Sequence, residues 1–401
     1  MFSRRASWDL TPNELSLRVA ARRARGLRVL DLADANPTHC GLAPREALRD
    51  ALAALAADPA SARYQPDPRG EPAARAAIAA YHGGRLAPEH VVLTAGTSEG
   101  YAHLFRLLAD PGDRVHLPTP GYPLFEHLAA LEGVEVERYP LRPPPRGPRW
   151  RIDLDALAAG LGPRSRALLV IHPHNPTGSF VDPDDWAALR AIACERGLSI
   201  VSDEVFADYG FDGPGPRGAL AGDDDGPLRF VLSGASKLLG LPQLKLAWIA
   251  LAGPAALRDE ALARLEFTAD AYLSVSPLLA RALPGLLARR GEVQRAIRER
   301  VAHNRARLEA ALRGHERATL VPAEAGWAAL LRVAGSHDEE AIALGLLERS
   351  GVLVQPGFLF ELGSDEPCAH LVLSLLPEPA DLAGGVAALL DFLADPRSAR
   401  S

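Results

Sequence analysis

Between residues 91 and 251 short apolar runs alternate with amphipathic segments, and this alternation restricts the available folds more than any other feature of the chain. Val91–Ala95, Arg114–Leu117, Ala167–Ile171, Leu198–Ser202, Phe230–Leu232 and Leu246–Leu251 have the length and apolar content of strands. Ser98–Leu108 and Trp186–Arg196 carry apolar residues at helical spacing. Strands separated by helices pair in parallel, because a return to the same end of a sheet requires a long crossover. The expected class is therefore α/β, a large domain with a mostly parallel central sheet flanked by helices. Ligands of such sheets lie beyond the carboxyl ends of the strands, so the residues there are the first functional candidates.

After about residue 284 the pattern changes. A long charged helix over Gly291–Leu312 precedes three short strands near Trp327–Val333, Val352–Val354 and Leu371–Leu375, with helical patterns after the first and the last. This reads as a smaller α+β domain of residues 285–401 joined by residues 1–50, beside a large domain of residues 51–284. Pro143–Pro148 and Gly213–Gly226 read as surface loops.

Bulk composition excludes several classes of function. A formal charge of −6, with the basic residues scattered, gives no footprint for nucleic acid. No uninterrupted apolar stretch suits a membrane span, and the opening residues lack the apolar core of a signal peptide, so a cytoplasmic protein is expected. Three cysteines, Cys40, Cys194 and Cys368, without CxxC spacing point neither to disulfides nor to a metal site. Cys194 falls in an apolar-periodic segment and is expected to be a buried thiol.

Four elements at the expected strand ends carry chemistry. Lys237 follows Phe230–Leu232 among small residues, Ser233-Gly-Ala-Ser-Lys237. A lysine amine forms an imine with an aldehyde when desolvation or cationic neighbours lower its pKa. Asp203 closes the run that begins at Leu198, where an acid is costly unless it meets a positive partner. A pyridinium nitrogen is one such partner; a helix cap or salt bridge is another. Asn175, in His172-Pro-His-Asn-Pro-Thr-Gly178, offers an amide to a ring hydroxyl or forms a plain turn. Thr94-Ala-Gly-Thr-Ser-Glu-Gly100 is a strand-to-helix turn whose amides and hydroxyls suit a phosphate.

In their order, with Asp203 placed 28 residues after Asn175 and Lys237 placed 34 after Asp203, these blocks resemble the class I/II aminotransferases, fold-type I enzymes of pyridoxal 5′-phosphate. The resemblance runs from Asn36-Pro-Thr38 to Leu371–Leu376. It implies Lys237 as Schiff-base lysine and proton carrier, Asp203 on the pyridine nitrogen and Asn175 on the ring hydroxyl. It also implies Thr97, Ser98, Ser236 and Lys245 around the phosphate and Tyr122 stacked on the ring. Tyr64 resembles the tyrosine that reaches the phosphate of a neighbouring subunit, which implies a homodimer. The reaction implied is ping-pong transfer of an amino group from a small amine donor to a keto-acid acceptor. A lyase, cyclase or decarboxylase on the same scaffold, and a non-enzymatic regulator, are the alternatives.

Three positions depart from the family pattern. Phe206 stands where Asp-Glu-hydrophobe-Tyr is usual, which removes a phenol donor from the ring hydroxyl. Lys245 replaces the usual phosphate arginine, and Gly234 a frequent serine. Val372, in His370-Leu-Val-Leu-Ser374, occupies the place of the arginine that clamps the substrate α-carboxylate. His370 and the N-terminal Arg4 and Arg5 are the nearby sequence candidates to replace it.

Overall fold

The structure, a computed structural model, describes residues 2–84, 86–144, 147–216, 218–220, 225–273, 275–335, 338–363 and 368–395. The chain opens with α1 (Glu14–Ala24), the two-residue strand β1 (Leu30–Asp31), α2 (Arg45–Ala57) and α3 (Pro72–Tyr81). The expected alternation follows: β2 (Val91–Thr94), α4 (Thr97–Leu108), β3 (Arg114–Thr119), α5 (Leu124–Glu132) and β4 (Glu135–Arg142). It continues through β5 (Arg151–Ile152), α6 (Leu154–Gly160), β6 (Ser165–Ile171), α7 (Pro183–Arg196), β7 (Ser199–Asp203) and β8 (Arg229–Gly234). The one-turn α8 (Ala235–Leu238), β9 (Ala247–Ala252), α9 (Ala255–Tyr272), α10 (Pro277–Ala288) and α11 (Arg290–Leu312) lead into the second sheet. That part comprises β10 (Ala318–Leu320), β11 (Ala328–Ala334), α12 (Glu339–Ser350), β12 (Val352–Leu353), β13 (Gln355–Pro356), β14 (Cys368–Ser374) and α13 (Pro379–Ala394).

The large sheet has the order β2-β9-β8-β7-β6-β3-β4-β5. Strands β8 through β4 run parallel; β9 is antiparallel to both of its neighbours, and β5 to β4. The residues of β7 and β8 are all buried, because helices cover both faces of the sheet. Trp248, Leu189 and Ile78 fill the core on one face; Phe105, Leu265 and Phe230 fill it on the other. The smaller sheet, β10-β11-β14-β13, is antiparallel and has its own core with α11, α12 and α13. N-terminal residues reach this part of the chain through a separate two-stranded parallel sheet, in which Leu30 pairs with Val352 and Asp31 with Leu353.

Local signals explain the ends of α7. Asp182 accepts a hydrogen bond from the Asp184 N–H, Pro183 pre-sets the first turn, and Gly197 ends the helix at φ 65°. Its buried stripe is Trp186, Leu189 and Ala193, and Cys194 lies one step round the helix from Ala193. The Cys194 thiol is therefore exposed, contrary to the expectation of burial, whereas Cys40 and Cys368 are buried. Of the two loop stretches, Pro143 and Gly147 are exposed as expected. The second is partly built into the fold: Ala219 and Leu220 are buried, and the Pro216 carbonyl accepts a hydrogen bond from His172 Nε2 at 2.7 Å. Residues 145, 146, 217 and 221–224 of these stretches lie outside the described residues.

Candidate active site

Strands β6 and β7 end level, with Ile171 paired to Asp203, while β8 pairs Leu232 with Asp203 and runs two residues further to Gly234. The chain leaving each strand emerges at one edge of the sheet. Asn175 follows β6 directly, Asp203 is the last residue of β7, and Lys237 sits on the single turn of α8 after β8. Thr97 and Ser98 open α4, and Tyr122 follows β3. All six line one cavity of about 570 Å³.

Asp203 is 7% exposed. Its Oδ2 accepts a hydrogen bond from the Tyr101 hydroxyl at 3.0 Å and its Oδ1 one from the Val205 N–H at 3.2 Å. Burial nevertheless pushes the Asp203 carboxyl up to about 6, against the lowering effect of those two bonds and of Lys237. Burial likewise holds the Lys237 amine below the ordinary lysine value, and the charge of Asp203 offsets part of that shift. A larger neutral fraction makes this amine a better nucleophile and base than a surface lysine.

Two aromatic rings frame the amine. Lys237 Nζ lies 5.3 Å from the centroid of Trp327 and 5.5 Å from that of Phe206. Trp327 meets Phe206 and Tyr209 edge to face at 5.2 and 4.8 Å, and the Tyr209 hydroxyl donates to the Lys237 carbonyl at 2.7 Å. Trp327 arrives from the second sheet because residues 323–327 dock on the loop after β6. Glu324 N–H donates to the Gly178 carbonyl at 3.0 Å, and its carboxylate accepts from the Phe180 N–H and pairs with Arg149. Gly178 permits the approach: it has φ +67°, and a Cβ there would stand 2.4 Å from the Ala325 carbonyl oxygen. Trp327 and Tyr101 were not singled out as site residues from sequence. Tyr101 carried one signal, its placement one helical turn after Thr97.

The cavity wall of the single chain does not include Ser236, Lys245 or Tyr64. Tyr64 is 79% exposed. Lys245 is nonetheless close to the α4 turn, since a Cβ on Gly96 would lie 3.5 Å from its Nζ. Gly234 is closed to a side chain, because a Cβ would fall 2.7 Å from the Ala247 Cβ. Val372 does line the cavity, packed with Leu330, Phe360 and Leu362. His370 instead donates its backbone N–H to Glu339 at 2.7 Å, and its ring nitrogen stands 3.8 Å from the same carboxylate. Arg5 donates to the Leu131 carbonyl, at the opposite end of α5 from the cavity-lining Leu124.

These residues fit a phosphorylated pyridine aldehyde. The hydroxyls and first-turn amides of α4, with Lys245 beside them, suit a phosphate. A buried carboxyl held above its usual range suits a ring cation, and a desolvated amine suits an aldehyde. The sequence matches the family described as aminotransferase class I and II over residues 28–371. The chain belongs to that family. It is a pyridoxal-phosphate-dependent aminotransferase. The LL-diaminopimelate aminotransferase of Dehalococcoides mccartyi is 27% identical over 389 residues, covering 94% of this chain and 95% of the relative. The capreomycidine synthase of Streptomyces vinaceus is 33% identical over 293 residues, covering 73% and 72%. The alanine aminotransferase structure from Pyrococcus furiosus superposes with a TM-score of 0.87 at 21% identity, covering 98% of this chain and 99% of that one. This last likeness is one of fold.

Two outcomes are expected from this electrostatic setting. In the cofactor-free aminotransferase the folded pKa of Asp203 lies above its unfolded value, so the folded state binds the proton more tightly. Its contribution is complete below the unfolded value near 3.8 and is lost as pH rises through about 6. Asp203→Asn in the cofactor-free protein is therefore expected to unfold at higher urea than wild type at pH 7 by about 3 kcal/mol, with the gap closing by pH 4. Were Lys237 to hold the cofactor as an imine, Phe206 would supply no phenol to stabilise its deprotonated form. Phe206→Tyr is expected to lower the imine pKa by about one unit in an absorbance titration of the holoenzyme.

Proposed function

We propose that the enzyme moves an amino group between a small amine donor and a keto acceptor in two half-reactions at the cavity under Trp327. The observation that supports this most directly is the convergence of Asn175, Asp203 and Lys237 from the ends of three adjacent parallel strands. Pyridoxal phosphate supplies an aldehyde for the amine and a ring that takes up the electron pair released at the amine-bearing carbon. Asp203, oriented by Tyr101 and the Val205 amide, keeps the ring-side charge positive. Asn175 would donate to the ring hydroxyl and Tyr122 would stack on the ring. Thr97 and Ser98 would bind the phosphate, with Lys245 and Ser236 as further phosphate contacts. Lys237 removes the proton from the amine-bearing carbon and returns it one atom away. Its lowered pKa gives it the neutral form that this task needs. The rings of Trp327 and Phe206 hold the amine in place and keep water from it.

The division into residues 51–284 and residues 1–50 with 285–401 is part of the same proposal, supported by the separate core of the second sheet. So is a homodimer in which Tyr64 serves the neighbouring phosphate. Tyr64 and Phe267 are both 79% exposed, and the Arg69–Glu266 ion pair brings their segments together, which leaves an aromatic surface for a second copy. Among the described residues no helix is long and apolar enough to cross a membrane, and we place the enzyme in the cytoplasm. A second reading, a lyase, cyclase or decarboxylase outcome, draws on the likeness to a capreomycidine synthase and on Val372 in the arginine position.

Holoenzyme treated singly with α-amino acids, ω-amino acids and simple amines is expected to lose its visible cofactor band to pyridoxamine phosphate with one class, and to regain it with a carbonyl acceptor from a panel of keto acids, aldehydes and ketones. Product without pyridoxamine phosphate would favour the second reading. Lys237→Ala is expected to lower the rate at least about 100-fold and to abolish borohydride fixation of the cofactor to the chain. Sedimentation equilibrium is expected to give the mass of two chains. Tyr64→Phe should weaken cofactor retention in the dimer without changing that mass.

A further inference from the structure

The cavity carries an electrostatic signature that the family assignment does not explain. Its charged residues, among those described, are Lys237, Asp203 and Asp34. Lys237 and Asp203 are committed to the cofactor, so among the described residues of one chain the wall left for substrate holds the Asp34 carboxylate and no cation. Asp34 reaches it from the loop after β1, with Oδ1 accepting from the Asn36 N–H at 2.8 Å and Oδ2 beside His39 Nδ1 at 2.9 Å. His174 also lines the cavity, but burial pushes it down to about 4, so it is neutral at physiological pH. Across the cavity, Val372 pairs in register with Leu330 and Gln355. Strand alternation turns its neighbours Leu371 and Leu373 into the core of the second sheet, and Val372 the other way, into the cluster of Leu330, Phe360 and Leu362.

A carboxylate carried on the reacting carbon would be desolvated against this apolar wall with no positive partner, which is strongly unfavourable. Neutral groups in the wall, including Asn36, Gln355 and Ser374, can hydrogen-bond a hydroxyl, a carbonyl or a carboxylate, but they cancel no charge.

We infer that this enzyme acts on primary amines whose amine-bearing carbon carries no carboxylate, with Val372 as the residue that sets the preference. The inference rests on the amino-transfer reading above. Both half-reactions use the same wall, so the carbonyl partner is an aldehyde or ketone with no carboxylate on the reacting carbon.

The test compares donors that differ only in the carboxylate, leucine against isoamylamine and phenylalanine against phenethylamine, each added singly to the holoenzyme while the visible band is followed. The amine of each pair is expected to convert the cofactor faster by at least about tenfold in the second-order rate constant. Faster conversion by the amino acids overturns the inference. Val372→Arg is expected to reverse the order within each pair. A binding measurement needs no variant: by calorimetry on the unmodified holoenzyme, hydrocinnamide should bind more tightly than hydrocinnamate. Tighter hydrocinnamate overturns the inference. If no donor yields pyridoxamine phosphate, the transfer reading fails, and the calorimetric order still decides whether the wall rejects a carboxylate.

Discussion

The site depends on three adjacent parallel strands that leave the sheet at the same edge. Pairing of Ile171 with Asp203 and of Asp203 with Leu232 fixes where the chain leaves the sheet at three neighbouring points. Parallel pairing is what makes this possible, because every strand then presents its carboxyl end to the same edge and each helix returns the chain to the opposite one. A slip of one residue in β7 would turn Asp203 to the opposite face of the sheet. The full burial of β7 and β8 makes such a slip costly, so the core that stabilises the fold also sets the position of the carboxylate.

A second constraint ties the two sheets together. Residues 323–327 lie on the loop after β6 through the Glu324–Gly178 and Glu324–Phe180 hydrogen bonds and the Arg149 ion pair, and Gly178 allows the contact by having no side chain. The result is an aromatic enclosure for Lys237 built from both parts of the chain, with Phe206 and Tyr209 from one and Trp327 from the other. The enclosure excludes water, and the loss of water shifts both ionisable groups: the amine falls and the carboxyl rises. The stability that the fold gives up at Asp203 would be recovered on binding a cation there, as the proposed ring partner would supply.

The departures from the family pattern are local and physically coherent. Gly234 packs against Ala247 so closely that no serine fits, and Lys245 brings its charge to the turn at Gly96 before α4. Phe206 gives up a hydroxyl but contributes a ring face to the lysine amine. Val372 packs in an apolar cluster with Leu330, Phe360 and Leu362 and puts an aliphatic side chain into the cavity wall. The phosphate and ring environments therefore keep the family's electrostatic logic, while the wall opposite them does not.

Sequence by itself determined the fold class, because alternation of strand and helix leaves few architectures, and six strands of the large sheet were placed to within a few residues. It also marked Lys237, Asp203 and Asn175, since each pairs an unusual residue type with the end of an apolar run. It missed β4, whose mostly partial burial without alternation and whose Pro140 blur the strand pattern, and it misplaced Cys194, because one step around a helix separates a buried position from an exposed one. Only the tertiary structure brought Trp327 over Lys237 and Tyr101 under Asp203, since contacts between residues 90 and 102 positions apart leave no periodicity to read. Tertiary structure also decided against His370 and Arg5 as replacements for the missing arginine: one is held by Glu339 and the other by the far end of α5. Residue types record what a position can do chemically; which of them share a cavity is settled by packing, which the order of residues along the chain does not express.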